Sequence, residues 1–164
     1  LQVSATHLFQ KLGVSREEFF EIINHVDPRD HLKFDEKTHE TMKKLAEEHE
    51  LVLLSNSPRQ KVDRTLEALK IHEHFTKIYG ADDLHDSKPN PEILMQIMDE
   101  MGYKPDESFN IGDDLDKEIR IAKEIGMNTV LVKHWPYTED ELAEAHHVVD
   151  DIHELPSVLK KFIN

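Results

Sequence analysis

Leu51-Val52-Leu53-Leu54-Ser55-Asn56-Ser57-Pro58 is the stretch on which the fold turns. Four consecutive apolar residues without polar alternation are what a strand covered on both faces of a parallel sheet requires. The polar cluster behind them stops the strand. Ser57 is placed to cap a helix, Pro58 to take its first position and Gln60 to complete a capping box. The helix then runs through Val62, Leu66 and Leu69.

The same alternation continues downstream. A strand is expected near Lys77-Ile78-Tyr79, a helix opened by Asn90-Pro91, and a strand near Phe109-Asn110-Ile111. A helix from Asp116 to Ile125, closed by Gly126, leads to the strand Thr129-Val130-Leu131-Val132. A capped turn at Thr138 to Glu141, a short strand near Val148-Val149 and a terminal helix complete the chain. Upstream the period is helical: Asp35 to Glu50 turns Met42, Leu45 and Ala46 inward, and Ser15 with Glu18 caps the apolar set Phe19, Phe20, Ile22 and Ile23. An earlier helix holds Leu8, Phe9 and Leu12 and ends at Gly13; Asp27-Pro28-Arg29-Asp30-His31 breaks the pattern as a hinge or domain boundary. All five glycines fall at such punctuation points. The expected fold class is α/β, a Rossmann-like open parallel sheet with flanking helices.

Composition limits the function. The chain has 164 residues, 34 acidic against 20 basic, and a formal net charge of −14. Such acidity argues against nucleic acid as partner, since phosphate backbones need a basic footprint. No apolar run approaches the roughly 18 to 20 residues of a spanning helix, so no membrane partner is expected. The absence of cysteine removes disulfides, thiol catalysis and thiolate metal sites, and fits a reducing cytoplasm. Twelve histidines make the charge balance pH-dependent near their usual range. None forms a His-Glu-x-x-His pattern, and His72/His74 and His146/His147 do not share a helix face, so they read as surface residues.

Ligands of open parallel sheets bind beyond the C-terminal ends of the strands. Ser55-Asn56 follows the first strand, Ser87-Lys88-Pro89-Asn90-Pro91 comes after the second, and Gly112-Asp113-Asp114-Leu115-Asp116-Lys117-Glu118 follows the third. Each cluster suits a phosphate. Ser55 and neighbouring N–H groups can donate to phosphoryl oxygens, Lys88 can neutralise developing charge, and Asp113 with Asp114 or Glu118 can hold Mg²⁺. Taken singly, each also reads as a helix cap, a solvated lysine or an acidic turn. Their common position and order carry the weight.

That order resembles the haloacid dehalogenase superfamily of phosphohydrolases over about residues 50 to 155. "LVLLSNSP" is similar to its second motif, "SKPNPEIL" to its third, and "FNIGDDLDKEIRIAKEIGMNTVLV" to its fourth. The resemblance implies catalytic Ser55 and Lys88, substrate binding by Ser55, Asn56 and Lys88, and metal binding by Asp113, Asp114 and Glu118. It also implies an Mg²⁺-dependent phosphatase acting on a small phosphorylated metabolite, with a phosphomutase chemically adjacent. Residues 1–32 are then a small helical cap and 33–164 the core. Glu118 stands where aspartate is commoner, which leaves the second carboxylate open.

The family's nucleophile is the first aspartate of an Asp-x-Asp motif on a strand preceding all of these. The only Asp-x-Asp here is Asp114-Leu115-Asp116, inside the fourth motif. The implied nucleophile is therefore expected upstream of Leu1, on a central strand between those ending at Ser55 and at Asp113. Without that strand, unpaired backbone groups costing on the order of 1 to 3 kcal/mol each would erode a stability of about 5 to 15 kcal/mol. A natural chain longer by roughly 15 to 25 residues is the expectation. The alternative is a catalytically inactive, phosphate-binding or interaction protein of the same fold. A receiver domain also combines acids, hydroxyl and lysine, but in another order.

Three further features carry less. Arg29, His31 and Lys33 sit where a cap would rejoin the core and could meet an anion; Ala81-Asp82-Asp83-Leu84-His85-Asp86 reads as a solvated turn, near the rim in the fold the resemblance implies; Trp135 could pack near the rim but reads first as core cover.

Overall fold

The computed structural model describes residues 9 and 11–162; of the first expected helix, Leu8 lies outside the described residues. Helix α1 (Arg16–Asn24) begins with the expected capping box, Ser15 and Glu18 each bonding the other's backbone. A single tight turn over Pro28–Asp30, capped by Asp27, separates it from α2 (Glu36–Glu48), which buries Thr41, Met42 and Leu45. The α/β succession follows. Strand β1 (Val52–Leu54), helix α3 (Arg59–Leu69), strand β2 (Lys77–Tyr79) and helix α4 (Glu92–Met101) make the first half. Strand β3 (Phe109–Gly112), helix α5 (Ile121–Glu124), strand β4 (Asn128–Val132), helix α6 (Glu139–Leu142), strand β5 (His147–Val149) and helix α7 (Leu155–Leu159) make the second.

Among the described residues every strand pairing is parallel, as the apolar runs require, but the strands form two sheets rather than one: β1-β2 and β3-β4-β5. Two apolar layers nonetheless flank the strands, one of them running across both sheets. Met42, Leu45, Val62, Leu66 and Leu155 pack with Ile78 of β2 and Val130 of β4 on one face. On the other, Ile93, Leu94, Ile97, Ile121 and Ala122 pack with Tyr79. Helices thus cover both faces of a strand layer, the Rossmann-like arrangement.

Between the two sheets lies a cavity of about 550 Å³ lined by Leu51 to Leu54 of the β1 region and Ser108 to Ile111 of the β3 region. It explains a departure from expectation: the run Val52-Leu53-Leu54 is only half-buried, and so is all of β3, whereas Thr129, Val130 and Leu131 of β4 are fully buried. Alternation along a strand assigns the cavity edge to particular groups. Ser55 N–H donates to Tyr79 O and Leu51 O accepts from Thr76, so the odd residues of β1 face β2. Asn128 N–H donates to Ser108 O, so the even residues of β3 face β4. The backbone groups of Val52, Leu54, Phe109 and Ile111 are left pointing into the cavity.

Three local readings are corrected. Ser57 does not cap α3; Pro58 holds the N-cap position without a side-chain bond, and the Arg59 N–H donates instead to Asp82 Oδ1 at 2.6 Å. The stretch 81–86 is accordingly no plain solvated turn: Ala81 and Leu84 are buried, Asp82 caps α3, and Asp83 accepts from the Gly80 N–H at 2.8 Å. The helix expected from Asp116 opens as a wide turn over Leu115–Arg120, in which Ile119 N–H reaches back five residues to Asp114 O. Such wide turns recur at functional sites.

Candidate active site

The three loop clusters meet at the C-terminal ends of β1 and β3. Ser55 extends the β1–β2 ladder by one bond, its N–H to Tyr79 O at 2.9 Å, and its Oγ accepts from the Ser57 N–H at 3.1 Å. The Asn56 side chain does not reach outward. Its Nδ2 donates to Lys88 O at 2.9 Å and its Oδ1 accepts from Lys88 N–H at 3.1 Å, a reciprocal pair that fixes the backbone of the lysine loop. The Lys88-Pro89 peptide is cis.

Lys88 Nζ then spans the end of the cavity between the two sheets. It donates to Leu54 O on β1 at 3.1 Å and to Glu118 Oε1 at 2.8 Å, with the two side chains 11% and 16% exposed. Glu118 hangs from the wide turn after β3: Asn110 Nδ2 holds its backbone carbonyl at 2.9 Å, and its Oε2 accepts from the Asp114 N–H at 3.2 Å. Glycine is needed beneath it, because a Cβ on Gly112 would fall 1.6 Å from Glu118 Oε2.

Of the acids read as metal ligands, Asp114 and Glu118 are already engaged. Asp114 Oδ1 accepts from the N–H groups of Asp116 and Lys117, each at 3.0 Å, and Lys117 Nζ pairs with Oδ2. Burial alone would raise the Asp114 pKa, but the Lys117 ammonium and the two N–H groups hold it below the ordinary aspartate value. Asp113 differs. Its carbonyl accepts from the Tyr137 hydroxyl, while no hydrogen bond or ion pair to its carboxylate occurs among the described residues. The Tyr137 pKa is raised, first by burial and then by the negative charges of Asp113, Asp114 and Glu118. Asp113 also borders a cavity of about 310 Å³ shared with Trp135, Tyr137 and Arg120. A free carboxylate among oxygen donors suits a hard cation such as Mg²⁺, which takes one or two carboxylates and keeps water and phosphate as its other ligands.

Hydrogen bonds therefore join Asn56, Lys88, Glu118 and Asp114, and Ser55 and Asp113 flank that path as chain neighbours of Asn56 and Asp114. Arg29 is not on it: its Nε bonds the Asp27 carboxylate at 2.9 Å within its own turn, and His31 and Lys33 are exposed. Sequence reasoning missed Tyr137, although it too follows a strand end, the position already searched for ligands. Of the two places open to Trp135, the structure takes the less expected one: it is 56% exposed at the Asp113 cavity and does not cover core.

Comparison with known proteins places the chain in a family. A stretch of this chain is 37% identical over 73 residues to a glyceraldehyde 3-phosphate phosphatase of Methanopyrus kandleri, covering 44% of this chain and 31% of that protein. A phosphoglycolate phosphatase of Escherichia coli K12 is 35% identical over 80 residues, 49% of this chain and 31% of its own length. The matched stretches thus span about a third of these relatives. Among solved structures, a HAD phosphatase from Thermococcus onnurineus shares the fold with a TM-score of 0.68 at 22% identity, over 93% of this chain and 84% of that one. The model of the haloacid dehalogenase-like hydrolases matches residues 1–132, well over half of the sequence, and the chain belongs to that family.

Proposed function

We propose that the rim serves an Mg²⁺-dependent phosphohydrolase acting on a small phosphate ester. The observation that carries this reading is Lys88, fixed between the end of β1 and Glu118, on a turn that also carries the unengaged carboxylate of Asp113. Ser55 Oγ accepts from within its own turn, which leaves its proton free to be donated to a phosphoryl oxygen. Lys88 brings a positive charge to oxygens that gain negative charge during transfer. Asp113 holds the metal, which when bound supplies charge neutralisation and orientation of the phosphoryl group. Asp114 and Glu118, read at first as further ligands, act as positioning residues because their oxygens shape the turn and hold Lys88; Asn56 positions Lys88 in the same way.

The nucleophile belongs, in this reading, to an extended segment in the cavity between β1 and β3. A strand there would join the two sheets and meet the backbone groups of Val52, Leu54, Phe109 and Ile111. An Asp-x-Asp at its end would arrive beside Lys88. Residues 1–32 are assigned to a cap over a core of 33–164. The printed activities of the relatives, on phosphoglycolate and glyceraldehyde 3-phosphate, support a small soluble metabolite as substrate. Among the described residues no helix is long and apolar enough to cross a membrane; a cytoplasmic setting is part of the proposal and rests on the cysteine-free composition.

The test is phosphate release from p-nitrophenyl phosphate and a panel of two- and three-carbon phosphate esters by the whole protein. Activity is expected to require Mg²⁺ and to vanish in Asp113→Asn. Undiminished Mg²⁺-stimulated turnover by that variant would remove Asp113 from the metal site.

A further inference from the structure

We propose a second metal site, built from His39, Glu73 and His74, that takes one divalent ion of the zinc class. His39 lies in the first turns of α2, while Glu73 and His74 belong to the turn between α3 and β2. One donor atom from each residue lies within 4.8 Å of the others. The His39 and His74 rings meet edge-on with centroids 5.0 Å apart, and His39 Nε2 is 4.0 Å from Glu73 Oε1. Tetrahedral bonds of about 2.0 to 2.1 Å put neighbouring donors roughly 3.3 Å apart, so closure asks for a shift of about an ångström. Glu73 can supply it, because its side chain is 65% exposed.

Two further observations point to a cation. The Nε2 of His74 is buried and has no hydrogen-bond partner among the described residues. A buried ring nitrogen left this way costs free energy, and ligation of a metal by that Nε2 would relieve it. On His39, the other nitrogen faces the Glu40 carboxylate, Nδ1 to Oε1 at 3.6 Å. Nε2 is thus the His39 nitrogen turned toward Glu73, with a carboxylate near the opposite side of the ring, a placement resembling the outer shell of metal-bound histidines. Two imidazoles and one carboxylate suit Zn²⁺, Co²⁺ or Ni²⁺ and not Mg²⁺ or Ca²⁺, which prefer oxygen throughout. The site is thus chemically distinct from the one assigned to Asp113. Exposure at Glu73 leaves water as the fourth ligand. The ion would pin the start of α2, just after the turn at Pro28–Asp30, to the body of the α/β layer. The earlier reading of these histidines as surface residues considered only pairs close in sequence; His39 and His74 are brought together by the fold.

Titration of metal-stripped protein with Co²⁺ tests the proposal through the visible d–d absorption of the bound ion, followed by displacement with Zn²⁺. One saturable equivalent is expected, with the band intensity of a four- or five-coordinate ion. His39→Gln and Glu73→Gln should each weaken binding about tenfold or more, while His25→Gln, an exposed histidine on another turn, should not. Both test variants alter partly or largely exposed side chains, and circular dichroism verifies their folding. Wild-type affinity in either variant, or no saturable Co²⁺ or Zn²⁺ binding at neutral pH, would overturn the assignment.

Discussion

Lys88 and Glu118 form a nearly water-free ion pair, and the energetics of such pairs are asymmetric. Their mutual attraction roughly offsets desolvation, but deleting one partner strands the other charge, at about 3–5 kcal/mol when burial is complete. With 11% and 16% of the side chains exposed, Lys88→Met should cost toward the lower end of that range, read from the urea midpoint. Adding Glu118→Gln to it should restore part of the stability without restoring phosphate release, which separates the structural role of the pair from the proposed chemistry. Tyr79 offers a second measurement. Burial, followed by its hydrogen bond to Glu100 at 2.7 Å, pushes its pKa up to about 12. The folded state then holds a proton that the unfolded chain releases near 10, so this contribution to stability is complete below pH 10 and is lost as pH rises toward 12. Alkaline spectrophotometric titration should show Tyr79 ionising late, and Tyr79→Phe should remove that component.

At the level of helices and loops, α3 shows how a cap can come from elsewhere in the chain. Ser57 has the right residue type and spacing, yet Asp82 accepts the Arg59 N–H across the start of the helix. Asp82→Ala should therefore destabilise the protein by about 1 kcal/mol, the usual loss for a helix cap, whereas Ser57→Ala should change the thermal midpoint little. The loop can approach so closely because residue 80 is glycine: a Cβ there would stand 2.4 Å from Arg59 N and 2.5 Å from its Cα. Backbone atoms cannot swing aside as a side-chain end can. Gly80→Ala should cost about 1–3 kcal/mol by chemical denaturation, through overpacking.

Over the whole molecule, the cavity between β1 and β3 separates backbone groups of one strand into two populations. Hydrogen exchange should find the amides of Val52, Leu54, Phe109 and Ile111 roughly tenfold or more faster than those of Leu53, Asn110 and Val130, which point at neighbouring strands. Equal protection would mean that the two sheets close on each other in solution.

Much of this was legible in residue order. The run Leu51 to Leu54, the capping boxes at Ser15 and Thr138 and the strand-end positions of Ser55, Lys88 and Asp113 follow from periodicity and local hydrogen bonding, which act over a few residues. The division into two sheets, the engagement of Asn56 by Lys88, the Asp82 cap and the meeting of His39 with His74 were not, because each joins groups that are neighbours only after folding. Carboxylates make the difference plain. Composition and spacing could nominate Asp113, Asp114 and Glu118 alike, but which oxygens remain free for a ligand depends on the N–H groups and ammonium ions that the fold brings against them.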